Sequence, residues 1–228
     1  MIVVIGLPAY AGSASGEGSA GGLAVDIAAA ARARGGSVEL VGKVGDDGAG
    51  DAVVLALGRM GIGHAALLRD PARPTPVMTA HPAPEVTGAA TAEDEEPRGE
   101  VGLLPADPAA RPGLEAGDIS LALRYLAETR VVVLAEPLFE AAVAAVIEGA
   151  AFAVARLVVV VPAGATPPSL PPEATVLEAP AEDDGSFGRV VGAFAAGLDA
   201  GTESAVAFAD AVKASGWEPV SDKEPVSG

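Results

Sequence analysis

The segment from Gly21 to Gly61, GGLAVDIAAAARARGGSVELVGKVGDDGAGDAVVLALGRMG, constrains the fold of this chain more than any other part of its sequence. A double glycine precedes an alanine-rich helical pattern, and a β-branched stretch follows. A second glycine-rich turn, GKVGDDGAG, then precedes another amphipathic helical pattern. Glycine at both turns allows backbone N–H groups at the helix starts to approach a small polar ligand. The segment therefore predicts a ligand-binding α/β protein.

The composition argues against several classes of function. The 228 residues include 14 Lys and Arg against 31 Asp and Glu, which gives a net charge of −17. A field of this sign repels phosphate backbones and anionic lipid, so we expect neither a nucleic-acid nor a membrane partner. The chain has no cysteine, and its two histidines, His64 and His81, lie in no metal-ligand spacing, so we predict no metal site. The N-terminal MIVVIGLPAYAG predicts a buried strand instead of a signal peptide, and we expect a cytoplasmic protein.

Periodicity and turn residues predict a single α/β domain over residues 1–217 and a polar tail over 218–228. Residues 82–99 carry three prolines and the acidic run EDEE, which predicts a flexible acidic loop. Continuous Val and Leu runs near residues 130–135 and 156–161 are typical of strands that helices cover on both faces. We predict strands at 2–5, 37–41, 65–68, 75–80, 100–104, 130–135, 156–161 and 175–177. We predict helices at 22–34, 50–60, 120–128, 138–154, 188–198 and 203–215.

Residues 42–50 follow the pattern Gly-x-Val-Gly-x-Asp-x-x-Gly, and the double glycine is followed after three residues by Asp26. This order resembles the first motif of the ribokinase-like, or PfkB, family of carbohydrate and nucleoside kinases, which has Asn at the position of Asp26. The resemblance implies a three-layer α/β fold with a mostly parallel central sheet flanked by helices. It also implies ATP and Mg²⁺ as cofactors and a sugar or nucleoside as ligand. The substrate-binding residues that it implies are Gly21, Gly22, Asp26 and Glu136.

Each of these residues has a plainer interpretation as well. The two glycines are also explained by turn geometry, and Asp26 by a solvated acid in the first turn of a helix. Glu136 ends a predicted strand, where a carboxylate can contact a ligand or cap a neighbouring helix.

The sequence DDGSFGRVVGAFAAGL at residues 183–198 resembles the second motif of the family, Asp-Thr-x-Gly-Ala-Gly-Asp-x-Phe-x-x-Gly. In that motif, backbone amides at a helix start form an anion hole and the second Asp accepts the proton of the attacking hydroxyl. One register assigns the proton acceptor to Gly192. The other assigns it to Gly188 and the anion hole to Gly185, Ser186, Phe187 and Gly188, with Phe187 as an obstruction.

Glycine replaces the proton acceptor in both registers, and loss of a general base lowers a rate by about 10²–10⁴-fold. Asp183 and Asp184, a few residues upstream, are the substitutes that the sequence offers. The string GAGD also occurs at residues 48–51, inside the first motif, where Asp51 is expected only to begin a helix.

Other parts of the family pattern are short or missing. The first strand leads into GLPAYAG, which lacks the acid that the family uses to bind substrate hydroxyls, and few residues are left for lid strands. We therefore expect the lid to be reduced or absent. Residues 162–182 are too few for the family's Asn-x-x-Glu element and its nucleotide loop. ATP and Mg²⁺ are thus implied by resemblance alone.

Three functions are compatible with these observations. The chain could be a sugar or nucleoside kinase that uses Asp183 or Asp184 as base. It could instead be a non-catalytic protein of the same fold that binds a small molecule or a partner chain. A Rossmann-type dinucleotide binder needs a strand that runs directly into G-x-G-x-x-G, which GLPAYAG does not provide. We predict a kinase-like protein with impaired catalysis, and a homodimer through sheet edges near 75–80 and 100–104.

Overall fold

The computed structural model describes residues 1–12, 18–78, 110–126, 128–181 and 185–215. The strands in chain order are β1 (Ile2–Ile5), β2 (Ala9–Ala11), β3 (Ser19–Gly21), β4 (Val38–Gly45), β5 (Leu67–Asp70), β6 (Val77–Met78), β7 (Val131–Leu134), β8 (Arg156–Val161) and β9 (Thr175–Glu178). The helices are α1 (Leu23–Ala33), α2 (Gly48–Arg59), α3 (Ala116–Tyr125), α4 (Glu140–Phe152), α5 (Ser186–Asp199) and α6 (Ser204–Ser215).

Six strands of the described residues form one parallel sheet in the order β5-β4-β1-β7-β8-β9. Strand β1 lies at its centre, and Ile2 pairs with Val38 on one side and with Val131 on the other. The strand order therefore reverses direction between β1 and β7. Ligands of such doubly wound sheets bind in the crevice at the carboxyl ends of the strands, next to this reversal.

Helices cover both faces of the sheet. On one face, Val4 and Val133 pack in a hydrophobic cluster with residues of α1, α2, α5 and α6. On the other face, Val3 and Val132 pack with residues of α3 and α4. Strands buried on both faces read as continuous Val and Leu runs, which explains why the sequence identified them. The predicted three-layer α/β architecture with a mostly parallel sheet is confirmed.

The predicted bounds of β1 and β8 agree with the structure, and two differences elsewhere have physical reasons. Strand β4 extends to Gly45, beyond the predicted end at 41, because its last four residues pair with β5. Helix α3 begins four residues earlier than predicted, at a capping box in which Glu115 and Asp118 each bond the other's backbone N–H. A side chain at the cap thus extends the helix into a stretch that lacks apolar periodicity.

Strands β2 and β3 were not predicted, and with β6 they form a small sheet in the order β3-β2-β6. The reduced lid expected from the sequence is therefore represented, in the described residues, by three strands of two or three residues each. The acidic loop at 82–99, the predicted strand at 100–104 and the tail at 218–228 lie outside the described residues. None of the helices in the described part of the chain has the length and apolarity needed to cross a bilayer.

Candidate functional site

Glu136 follows β7 and connects the two strands at the point where the sheet order reverses. Its Oε1 accepts a hydrogen bond of 2.8 Å from the backbone N–H of Leu7, the second residue after β1. Its Oε2 lies 4.0 Å from Nη1 of Arg111. Burial raises the pKa of the Glu136 carboxyl above its ordinary value, and the Leu7 N–H and the Arg111 guanidinium only partly oppose this rise. The carboxyl group thus bridges β1 and β7 instead of capping a helix.

A cleft of about 350 Å³ opens beside Glu136, at the carboxyl ends of β7, β8 and β9. Its walls are apolar and rigid, because three prolines contribute to them together with Leu23, the first residue of α1. Among the described residues that line it, Glu136 supplies the only polar side chain. The prolines are Pro137, Pro162 and Pro180.

The double glycine forms the entrance to α1. Gly22 is the N-cap residue with φ of 99°, a conformation that residues with a side chain rarely adopt. Its carbonyl accepts the N–H groups of Val25 and Asp26 at 2.9 and 3.0 Å. A Cβ atom on Gly21 would lie 3.1 Å from the Met78 sulfur. Backbone geometry and close packing therefore account for both glycines, and their contact with a ligand stays a prediction.

Helix α5 begins at Ser186, with Gly185 as the N-cap residue at φ of 82°. Gly188 is consequently in the first turn, where backbone N–H groups point out of the helix end, while Gly192 lies a full turn further on. Only the register through Gly188 keeps the position of the proton acceptor at the helix start. The side chain of Phe187 is buried in the hydrophobic core. Asp183 and Asp184 lie outside the described residues.

Helix α1 packs directly on the glycines of α5. A Cβ atom on Gly188 would lie 2.8 Å from Cβ of Asp26, and one on Gly192 would lie 2.4 Å from the carbonyl oxygen of Ile27. Side chains do not tolerate such distances, so an Asp at either position would push the two helices apart. The two glycines thus permit a close contact between α1 and α5. The same contact brings Asp26 beside the first turn of α5.

The first motif serves as a junction between β4, α2 and the segment before β6. Asp47 is the N-cap residue of α2 and accepts a hydrogen bond of 2.8 Å from the Gly50 N–H. It also accepts the backbone N–H and the hydroxyl of Thr75, at 2.9 and 2.7 Å. Burial acts to raise the pKa of Asp47, but these hydrogen bonds outweigh it and hold the pKa below its ordinary value.

The glycines of this junction are also required by close contacts. A Cβ atom on Gly50 would lie 2.4 Å from the carbonyl oxygen of Gly45. Asp51 lies in the first turn of α2, as expected, and its carboxylate pairs with the Arg69 guanidinium at 2.6 Å. The GAGD string at residues 48–51 is therefore part of a helix start, which is stabilised by the cap at Asp47 and by the ion pair of Asp51 with Arg69.

Nothing in the sequence indicated the two partners of Glu136, which are Arg111 and the backbone N–H of Leu7. Arg111 precedes Glu136 by 25 positions and follows no recognisable motif, and the bond from Leu7 to Glu136 uses a backbone group that any residue would provide. Long-range contacts of this kind have no local signal in a sequence.

No protein-family model and no curated protein sequence matches this chain. Solved structures do match it. The ribokinase of Arabidopsis thaliana, complexed with ribose and ATP, is 15% identical over 94% of this chain and 90% of its own, with a TM-score of 0.62. The fold is ribokinase-like. A putative ribokinase II from E. coli, in complex with ATP and Mg²⁺, is 14% identical over 92% of this chain and 89% of its own, again with a TM-score of 0.62.

An uncharacterized sugar kinase from Pyrococcus horikoshii in complex with ATP is 18% identical, with a TM-score of 0.51. The match covers 71% of this chain and 53% of that one, so this chain spans about half the length of that kinase. At these identities the likeness establishes the ribokinase-like fold, and the activity of the neighbours is theirs.

The residues at the start of α5 do not fit the ATP and Mg²⁺ that the resemblance implies. The space that a proton acceptor would need is filled by α1. A carboxylate, Asp26, stands beside the helix turn that would receive phosphate. The described residues contain no group of three or more acidic or histidine side chains that could hold a metal ion.

Proposed function

We propose that this chain is a ribokinase-like protein that retains a small-molecule cleft and is impaired in, or devoid of, phosphoryl transfer. The observation that carries the proposal is the contact between α1 and α5. Because α1 occupies the space next to Gly188 and Gly192, neither position can hold the carboxylate that would accept the proton of a substrate hydroxyl.

The charge of Asp26 supports the same conclusion. The family pattern has a neutral Asn at this position, whereas a carboxylate repels the phosphates of ATP. The Cβ atom of a side chain at Gly188 would lie only 2.8 Å from Cβ of Asp26, so this negative charge is within a side chain's length of the α5 start. The N-terminus of a helix favours a nearby anion, and at the start of α5 we propose that the carboxylate of Asp26 is this anion.

The ligand that we propose for the cleft is a sugar or a nucleoside, bound without a requirement for ATP. Glu136 is the group that would hydrogen-bond a hydroxyl or N–H of this ligand, because its carboxyl is the polar side chain of the described lining. Gly21, Gly22 and Asp26 are placed near the same end of the sheet by β3 and α1. The Arabidopsis structure contains ribose and ATP, and the E. coli structure contains ATP and Mg²⁺. These are therefore the first compounds to test.

Two measurements on the purified chain test the proposal. The first is transfer of labelled γ-phosphate from ATP·Mg²⁺ to a panel of sugars and nucleosides, for which we expect no product above the background. The second is calorimetric titration with the same panel in the absence of ATP, for which we expect binding that Glu136→Gln weakens about 10-fold. Glu148→Gln, at an exposed acid on α4, is the matched control. Phosphorylation of a panel member at a turnover typical of kinases, about 1–100 per second, would contradict the proposal.

A homodimer and a cytoplasmic location belong to the same proposal. Strand β6 is an edge of the small sheet, and it is the described part of the edge near residues 75–80 through which we propose that two copies pair. Sedimentation velocity tests the dimer, and a chain that stays monomeric would contradict it.

A further inference from the structure

Arg111 has a half-buried guanidinium that makes no hydrogen bond within the described chain. Its side chain is 22% exposed, whereas every other arginine that the structure describes is an exposed residue. Even the exposed Arg130 and Arg156 are hydrogen-bonded, to Asp199 at 2.9 Å and to the Thr202 carbonyl at 3.0 Å. Nη1 of Arg111 instead lies 4.0 Å from a Glu136 oxygen, which is too long for a hydrogen bond. The five N–H donors of this guanidinium are therefore available.

The carboxylate that faces Arg111 has an unused oxygen. Oε1 of Glu136 accepts the N–H of Leu7, whereas Oε2 accepts no hydrogen bond from the described residues. No fully buried side-chain nitrogen or oxygen of these residues lacks a hydrogen-bond partner. The unbonded atoms of Glu136 and Arg111 are therefore not sealed in the interior, and a ligand can reach them.

The backbone that follows Arg111 is anchored on the sheet. Leu114 is buried and packs in the same hydrophobic cluster as Leu7. In the first turn of α3, Asp118 pairs with Nζ of Lys43 at 2.6 Å, which ties the helix start to β4. Packing of the backbone on both sides therefore sets the gap between the guanidinium and the facing carboxylate.

The two groups together match a carboxylate with a hydroxyl next to it. The planar guanidinium of an arginine donates two parallel hydrogen bonds to a carboxylate, a geometry that lysine does not offer. Oε2 of Glu136 accepts the proton of a hydroxyl. In an α-hydroxy acid these two groups are on adjacent carbon atoms. One ligand oxygen can therefore contact Oε2 while another contacts Arg111 across the 4.0 Å gap.

The local charge balance permits an anionic ligand at this pair. The net charge of −17 repels anions from the chain as a whole, so their binding depends on a local cation, which Arg111 provides. Burial raises the pKa of Glu136, so this carboxyl takes up a proton more readily than an exposed one. A ligand carboxylate therefore meets less repulsion here than it would beside an exposed glutamate.

We propose that Arg111 and Glu136 together bind the acid end of a sugar acid, in which a hydroxyl lies next to the carboxylate. This inference rests on the ligand cleft of the proposed function and names the class of sugar that the cleft takes. Glu136 lines the cleft, and Arg111 lies beyond its Oε2, so a ligand bonded to Oε2 contacts both residues. Arg111 is then the residue that selects an acid over a neutral sugar.

Calorimetric titration of the full chain with D-ribonate, D-ribonamide and D-ribose tests the inference. Ribonate and ribonamide have the same carbon skeleton and differ in the charge of one group. We expect the wild type to bind ribonate at least about 10-fold more tightly than ribonamide. Arg111→Gln should weaken ribonate binding about 10–100-fold and ribonamide binding much less, so that the preference is lost. Arg124→Gln, at an exposed arginine of α3, is the matched control and should keep the preference of the wild type.

Arg111→Lys is the second variant if Arg111→Gln fails to fold by circular dichroism. It keeps the charge without the planar fork, so it should retain only part of the preference for ribonate. Equal affinities of the wild type for ribonate and ribonamide, or an Arg111→Gln variant that weakens both ligands equally, would overturn the inference.

The same titrations separate this inference from the proposed function. Binding of ribose with no preference for ribonate would overturn the role of Arg111 and leave the proposed function intact. Absence of binding by all three compounds would also overturn only the inference, because nucleosides test the cleft independently. Phosphorylation of ribose at a turnover typical of kinases would contradict the proposed function, whereas a ribonate preference that depends on Arg111 would still support the inference.

Discussion

The junction between β4 and α2 and the start of α5 are both glycine-rich turns that lead into a helix, yet they differ in what the glycines contact. At the first junction, Gly45 and Gly50 touch each other, and the carboxylate of Asp47 is fully used by Gly50 and Thr75. At the start of α5, Gly188 and Gly192 touch α1. None of these four glycines opens space for a ligand, because a Cβ atom at each would meet neighbouring atoms.

This difference is our proposed explanation for a complete motif at residues 42–50 and an incomplete one at residues 183–198. The residues of the first junction build the fold, so replacing them costs stability. The residues expected at the second junction perform chemistry, and without them the helices can pack more closely. The resemblance is complete in residues 42–50 and incomplete in residues 183–198, which is why we propose that the chain keeps the fold of its neighbours and is impaired in their reaction.

The largest effect is expected at the first junction. Asp47→Ala removes the cap of α2 and leaves the Thr75 N–H and hydroxyl without their acceptor, so we expect a loss of about 3 kcal/mol in the free energy of unfolding. The measurement is urea denaturation at pH 7. Asp46→Ala, at the exposed neighbour, is the control and should change stability by less than about 0.5 kcal/mol. Equal losses of stability in Asp47→Ala and Asp46→Ala would contradict the structural role that we assign to Asp47 at the first junction.

The pH dependence of the same pair sharpens this prediction. The pKa of Asp47 is lower in the folded chain than its ordinary value of 3.8, so the unfolded chain binds the proton more readily. The stability that Asp47 contributes is complete above pH 3.8 and is lost as the pH falls through the lower folded pKa. The difference in free energy of unfolding between the wild type and Asp47→Ala should therefore decrease as the pH falls below 3.8.

The helix contact at α5 is tested by adding one methyl group. Gly192→Ala introduces a Cβ atom 2.4 Å from the Ile27 carbonyl oxygen, and we expect a loss of about 1–3 kcal/mol in spite of the better helix propensity of alanine. Gly117→Ala in α3 has nothing within 4 Å and should raise stability by up to about 1 kcal/mol. A Gly192→Ala variant that gains stability would show that α1 does not fill this space.

A smaller effect is expected from the charge beside α5. Asp26→Asn restores the neutral residue of the family pattern and removes a carboxylate near the helix start, so ATP should bind about 3–10-fold more tightly by calorimetry. Asp51→Asn removes an equal charge at the start of α2, where Asp51 pairs with Arg69, and should leave the affinity unchanged. If Asp26→Asn bound ATP with unchanged affinity, the carboxylate of Asp26 would have no effect on phosphate binding.

The smallest effect concerns Glu136, where a neutral residue can keep the bond to Leu7. The folded state raises the pKa of Glu136 above its ordinary value of 4.5, so the folded chain holds the proton more tightly than the unfolded chain does. The stability of the wild type relative to Glu136→Gln should thus fall as the pH rises through the folded pKa. Urea denaturation between about pH 4 and 8 measures this difference, and a constant difference would contradict the burial of an ionisable carboxyl.

The sequence by itself determined the α/β class, the buried strands of the sheet and the positions of most helices, because alternating helical and β-branched patterns report directly on local burial. It also identified the two glycine turns, while the absence of a proton acceptor stays a prediction. Boundaries set by side-chain caps, such as Glu115 at α3, and short strands such as β2 carry too little pattern to be recognised.

Only the tertiary structure decided why glycine stands at 188 and 192, what Glu136 bonds, and how α3 packs against α4. Each of these depends on residues from distant parts of the chain: α1 against α5, Leu7 against Glu136 across 129 positions, and the ends of α3 and α4 side by side. The physical reason is that packing and hydrogen bonds act through space, whereas periodicity and propensity act along the chain.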